Sequence, residues 1–334
     1  MRRTTAILPA LAVIASLSLA GCGGSDDSSD AAPTGDATTK AAPATPTDPL
    51  TGLDLKNADS IDHPVLVVKM DNTYASSPQI GLGDADMVVE ELVEGGLTRL
   101  AAFYYSSIPD RVGPVRSMRA SDIGIVSPVG ADVVTSGAAP VTIRRIHAAG
   151  ITFFGESSKG FARDDSRSAP YNLFTNLRET ASLTKAPASA PADYLTWGTE
   201  SDLPGGVPAG SISATFSGGH TTEWTYRGGT YVNTNSNADP NGQFPADTVL
   251  VLRVQEGLAG YLDPAGNPVP ETKLVGKGQA MLFHGGKLVR ATWSKSALGD
   301  PIELSTKAGP LKVPAGHTWI ELVPVSGGNV TYRK

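Results

Sequence analysis

The sequence predicts a mixed α+β / α/β architecture: an N-terminal α/β domain with a mixed sheet over residues 49–190, then a smaller mostly-β domain over 211–334. Both follow a signal peptide (1–21) and a disordered tether (22–48). Three observations carry this reading. In the first half, short apolar runs alternate with segments of helical length, as expected where helices layer on a sheet. In the second half the runs are short, β-branched and aromatic, with Gly, Pro or Asn turns between them. Between the halves, residues 183–210 read LTKAPASAPADYLTWGTESDLPGGVPAG and are dense in Pro, Ala and Gly, the composition of a linker.

The first element is a secretory signal. Arg2 and Arg3 precede an apolar run over 6–19, and Leu19-Ala20-Gly21-Cys22 follows. That run is shorter than the roughly 20 residues a spanning helix needs, and it ends in small residues, as processing sites do. The tetrad is similar to the bacterial lipobox, which makes Cys22 the expected lipidation site and first mature residue. Cys22 is also the only cysteine, so no intrachain disulfide can form. The expected location is the extracytoplasmic face of a cell membrane, with lipid as the anchor. The next stretch, SDDSSDAAPTGDATTKAAPATPTDP, has no aromatic residue and too little apolar area to offset its ordering entropy, so it reads as a tether.

The chain carries 27 basic and 33 acidic residues, a net charge of -6. Processing removes Arg2 and Arg3 and no acid, so the mature protein is more acidic still. That balance argues against nucleic acid as a partner.

In the first half, residues 63–69 (HPVLVVK) suit a buried strand with Asp71 and Asn72 at its carboxyl end. Residues 85–94 and 97–105 read as two strands around a Gly95-Gly96 turn. A helix is expected after Ser117, a strand at 132–135, a helix over 140–149 and a strand at 151–154. In the second half, strands are expected at 222–227, 229–233, 247–253, 278–283, 287–293 and 317–323. Gly285-Gly286 supplies the tight turn of the hairpin FHGGKLVRATW.

The candidate chemistry centres on PDRVGPVRSMRASD at 109–122, which gathers Arg111, Arg116 and Arg119 in an acidic chain. If a helix begins near Ser117, Arg116 and Arg119 lie at its N-terminus, where free N–H groups, the helix dipole and guanidinium forks favour an anion. Gly113-Pro114 would bend the chain into that site. A second cluster, Arg163 and Arg167, lies in a loop. If the two loops share a sheet edge, five arginines converge with Asp71, Asn72, Glu90, Glu91, Glu94 and Arg99. The competing reading is that these charges simply pair with one another.

Other chemistries have weaker support. Glu90 and Glu91 alternate faces in a strand, so at most one shares a face with Glu94. The five histidines (His63, His147, His220, His284, His317) lack metal-ligand spacing, so no metal and no cofactor is expected. Ser117 reads as a helix cap before it reads as a nucleophile. The aromatics of the second half, Trp224, Trp293, Trp319, Tyr226 and Tyr231, read as core.

The segments DPLTGL, VVKMDN, ADMVVEELVEGGLTRLAAFYYSSIPDRVGPVRSMRASD and GKGQAMLFHGGKLVRATWSK with VPAGHTWIELVP resemble the YerB-like bacterial lipoproteins. The resemblance spans nearly the whole folded region and implies an N-terminal α/β domain with a smaller C-terminal β-rich one. Its matching positions are Asp71, Asn72, Glu90, Glu91, 94–96, Thr98, Arg99, Arg111, Gly113, Pro114, Arg116, Ser117 and Arg119. In RSAPYNLF, Tyr171 stands where the resemblance implies histidine.

Three functions are consistent with these readings. The favoured one is an envelope lipoprotein whose arginine-lined cleft binds an anionic group, such as a phosphorylated wall-polymer precursor or a carboxylate on a partner protein. The second is a phosphoryl or glycosyl-phosphate transferase using the same cleft, with Asp71 or a glutamate activating a nucleophile. The third is a structural interaction module that works through the β domain.

Overall fold

The computed structural model describes residues 45–334 apart from 57 and 188. The expected signal peptide, the lipidation site Cys22 and nearly all of the tether lie outside the described residues. No helix among the described residues is long and apolar enough to cross a membrane.

The strands that matter for the site are β1 (Leu66–Asp71), β2 (Met87–Leu92), β3 (Thr98–Tyr104), β4 (Asp132–Val134), β5 (Phe153–Phe154), β6 (Ser211–Ser217), β7 (His220–Arg227), β8 (Thr230–Asn233), β9 (Thr248–Leu262), β10 (Pro268–Lys273), β11 (Gly276–His284), β12 (Lys287–Lys295), β13 (Glu303–Thr306), β14 (Thr318–Pro324) and β15 (Asn329–Arg333). The helices are α1 (Asp122–Val126), α2 (Pro140–Ala148) and α3 (Leu177–Ala181). The expected mixed α/β first half and β-rich second half are both present.

The main sheet has 13 strands, running β13-β12-β11-β9-β14-β2-β3-β1-β4-β5 through its centre. β1, β3 and β2 form an antiparallel set, β4 and β5 add in parallel to β1, and β14 lies parallel to both β2 and β9. The stretches 49–190 and 211–334, expected as separate domains, therefore build one compact unit, because β14 lies between β9 and β2. The expected linker is strapped to this unit as well. Tyr194 is buried with its hydroxyl donating to the Ile125 carbonyl, and Val207–Pro208 pairs with β12.

Alternation along the strands divides the core in two. One face carries Val67, Val89, Ala101, Phe103, Leu250 and Ile320 under Ile123 and Ile125 of α1 and Ile146 of α2. The other carries Leu66, Val68, Val88, Leu100, Val249 and Trp319 against Ile212, Phe216 and Trp224 of a second, four-stranded sheet, β8-β7-β6-β15. The layers are thus helices, main sheet, second sheet. The second-half aromatics Trp224, Tyr231, Trp293 and Trp319 are buried, as core residues are.

The helix expected after Ser117 begins at Asp122 instead. β4 pairs only with Leu66–Val68, which leaves the end of β1 with open hydrogen-bonding groups. Residues 113–116 fill that place: the Asp71 amide donates to the Pro114 carbonyl and the Arg116 amide to the Lys69 carbonyl. Pairing with β1 holds this segment extended. Gly113 is required at its start, because φ is +150° and an added Cβ would lie 2.8 Å from the Phe174 ring.

Candidate functional site

Two polar clusters meet the carboxyl ends of β1 and β2 on opposite faces of the main sheet. Such ends are the usual ligand positions in sheets of this kind. The alternation expected for Glu90 and Glu91 decides which cluster each joins.

On the helix face, Lys69, Asp71, Glu91 and Arg99 project together. Lys69 reaches across Ala101, its cross-strand neighbour, to place Nζ 2.7 Å from Glu91 Oε1 and 2.7 Å from Asp122 Oδ1 at the start of α1. All three side chains are fully buried. Burial alone would push Lys69 down, but Asp122 and Glu91 outweigh it and hold the amine above its usual range. Glu91 is raised, by burial against the pull of Lys69. Glu256 on β9 is pushed up to about 8, first by burial, with Glu91 adding like charge.

Beyond this triad, Glu94 accepts hydrogen bonds from two arginines. Arg119 forks onto both of its oxygens, with Nε at 2.8 Å, and Arg99 Nη2 lies at 3.2 Å. These guanidinium groups overcome burial and hold Glu94 below its usual range. Arg99 is lowered to about 10, by burial and then by the like charges of Arg119 and Arg116. Arg99 also donates to the Ser117 carbonyl at 2.8 Å. Arg116 has the loosest partners: its Nε sits 3.1 Å from Asp71 Oδ2 without hydrogen-bond alignment, and Nη1 makes a 3.2 Å bond to the Pro170 carbonyl.

A cavity of about 200 Å³ opens here, lined by Asp71, Glu94, Thr98, Arg99, Arg116 and Tyr171. The Arg116 guanidinium lies over the Tyr171 ring at 5.4 Å, so a tyrosine and not an imidazole forms this wall. Asp263, at the tip of the β9–β10 hairpin, closes the rim and has both oxygens bound to Asn267. On its other side the tip borders a second cavity, of about 520 Å³, lined by Ser117, Arg119, Ser136 and Tyr261. The hairpin is tied to α2 by a Tyr261–Thr142 hydroxyl contact of 3.0 Å and an Arg145–Glu271 fork of 2.6 and 3.1 Å.

On the opposite face, Glu90 accepts from Asn72 (2.9 Å), Thr98 (2.7 Å) and Thr222 (3.0 Å), and His220 Nε2 lies 2.8 Å away. His220 is raised by Glu90 against its burial, and Glu90 is lowered by His220 against its own. Glu321 of β14 stands opposite Glu90, takes a 2.8 Å hydrogen bond from Trp224 Nε1, and is held far above its usual range by burial and then by Glu90. The two carboxyl groups are thus pushed apart across the β2–β14 pair, Glu90 towards the ionised form and Glu321 towards the acid.

The five loop arginines do not converge. Arg116 and Arg119 join Arg99 as described. Arg111 and Arg167 instead pack on Phe174, with guanidinium carbons 4.4 and 5.0 Å from its ring centre. Arg111 pairs with Asp164, Arg163 with Glu156 and Asn172, and Arg167 with the Ser76 and Pro78 carbonyls. Arg116 lies in the extended segment well before α1, whereas Arg119 stands at the turn that opens α1, where its amide is already taken by the Asp122 side chain. Ser117 is no helix cap: its hydroxyl meets Ser136 at 3.3 Å. Lys69, Asp122, His220, Glu256 and Glu321 were not among the expected site residues. Lys69 and Glu321 had a visible signal, a charge inside the apolar runs VVKM and WIELV.

Comparison with known proteins agrees with this architecture. Residues 50–190 match the N-terminal domain, and residues 212–320 the C-terminal domain, of the family described as "Protein of unknown function (DUF3048)". YerB of Bacillus subtilis (strain 168), which carries the name of a lipoprotein, is 34% identical over 134 residues, 38% of this chain. The match spans about two-fifths of that relative's length, 39%. The crystal structure of Bacillus subtilis YerB superposes with a TM-score of 0.71 at 21% identity, over 86% of this chain and 100% of the other, and so shares the fold. With both domains matched in order, the chain belongs to the DUF3048 family of YerB-like proteins.

Proposed function

We propose that this YerB-like protein is a lipid-anchored envelope lipoprotein that binds a small anionic group in the cleft between Asp71, Glu94, Arg99, Arg116 and Tyr171. The anchor is the lipid on Cys22, and the cleft faces the extracytoplasmic side. One observation carries the binding reading: three guanidinium groups share two carboxylates there, and Arg116 is the one whose donors are least engaged. An incoming phosphate or carboxylate would supply the missing negative charge, offset the burial and the like-charge repulsion that lower Arg99, and take a fork from Arg116. The cavity of about 200 Å³ suits a headgroup-sized ligand such as the phosphate of a wall-polymer precursor or the carboxylate of a partner.

The test is a thermal-shift titration of the full-length lipoprotein in detergent with phosphate, pyrophosphate and peptidoglycan fragments. Ligand at a hundred times its Kd stabilises the native state by about 2.7 kcal/mol. A shift with at least one anion, lost in Arg116→Ala, is expected. No shift with any of them removes the cleft from consideration, and turnover of a lipid-pyrophosphate sugar would make the protein a transferase instead.

A further inference from the structure

We propose that Lys69 and Asp122 condense to an intramolecular amide, with Glu91 as the proton-transferring catalytic residue, so that the fold cross-links β1 to α1 without help from another protein. The amine and the carboxyl group it would join are in contact. Lys69 Nζ is 2.7 Å from Asp122 Oδ1 in a buried ion pair, and Oδ1 has no other partner among the described residues. The other oxygen, Oδ2, accepts the Arg119 amide at 2.6 Å and is the one that would remain as the new carbonyl. The leaving oxygen and the retained oxygen are thus distinguished by their surroundings.

Glu91 sits where a proton carrier is needed. Its Oε1 accepts from Lys69 Nζ at 2.7 Å, while Oε2 is buried without a hydrogen-bond partner among the described residues. Burial raises its affinity for a proton against the pull of Lys69, the direction a proton donor needs, and Lys69 lies in ion-pair contact with Asp122. In the dry pocket the ammonium gives one proton to Asp122, leaving an amine and a carboxylic acid. The amine attacks Cγ. Glu91 donates its proton to the departing Oδ1 hydroxyl and takes one from the nitrogen. One C–N bond forms, one C–O bond breaks, one water leaves, no electrons change hands, and Glu91 ends as it began.

Two further features fit. All three side chains are fully buried, which excludes the water that would reverse the reaction. Ala101 opposite Lys69 leaves room for the long side chain over β3, with Nζ 2.7 Å from an oxygen of each carboxyl group. A chain whose single cysteine rules out an intrachain disulfide gains a covalent brace by this route.

Peptide mapping of the full-length lipoprotein tests this independently of the cleft and of the acyl chains. Trypsin cuts after a free lysine and not after an acylated one. The segments 57–99 and 120–144 are therefore expected as one covalent species, lighter than the two together by one water. Recovery of free 57–69, ending at Lys69, in the same yield as neighbouring peptides overturns the proposal. In Glu91→Gln, with native circular dichroism, the two segments are expected unlinked. Wild-type yield of the linked species in that variant removes Glu91 from the reaction.

Discussion

Replacing Glu256 by glutamine should abolish part of the protein's sensitivity to alkali. Its side chain, on β9 opposite Thr272 of β10, is partly buried, with Oε1 accepting from Thr272 at 2.9 Å and Oε2 buried without a hydrogen-bond partner among the described residues. The folded protein therefore keeps its proton to about pH 8, whereas the unfolded chain releases it near the usual 4.5. A carboxyl raised in this way stabilises the fold at low pH, and that contribution is lost as pH rises from the unfolded value through the folded one. From pH 6 to pH 9 the wild type should lose about 2.7 kcal/mol, the slope being 1.36 kcal/mol per pH unit until it fades around pH 8. Partial solvent access reduces this to about 2 kcal/mol. Glutamine cannot ionise, so the gap between variant and wild type should widen by that amount between pH 6 and pH 9 in urea unfolding followed by tryptophan fluorescence. Parallel losses in the two proteins would show that Glu256 is already ionised in the fold and would refute the argument.

Trp224→Phe removes the indole N–H that Glu321 accepts and part of the edge-on contact with Trp319, whose ring centre lies 5.2 Å away. Leaving a buried acceptor unsatisfied costs about 1–3 kcal/mol, so the urea midpoint should fall with an unchanged slope. Cys22→Ser should abolish incorporation of a labelled lipid precursor and release the protein from membranes; label retained in the variant would place the acyl chain elsewhere.

Local pattern made most elements legible. Short runs such as VLVV and TVLVLR named their strands because burial on both faces demands uninterrupted β-branched residues. The Gly95-Gly96 and Gly285-Gly286 turns were equally visible, and both glycine pairs take positive φ. What local pattern could not convey was the pairing of β14 with β2, a contact between distant parts of the chain. The same limit misplaced the helix after Ser117, since its residues take their conformation from the exposed end of β1. It also grouped Arg163 and Arg167 with the arginines of the cleft, from which the structure separates them, Phe174 drawing Arg111 and Arg167 to itself. Asp71, Glu94, Arg99, Arg116 and Arg119 do gather, through the alternation and cross-strand register that the first half displays.

The position of β14 also governs the order in which the molecule can assemble. β1 to β3 can form locally, with β3 pairing to both of the others, but β2 and β9 each keep an open edge until residues from the far end of the chain insert between them. Long-range parallel pairing of this kind closes slowly, and an unfilled edge is a template for another copy of the chain. Glu321 must also meet Glu90 at that moment, since each lies on one side of the seam. The last strand to arrive is thus the keystone: a chain halted before it would present two unsatisfied ladders and half of a buried acid pair.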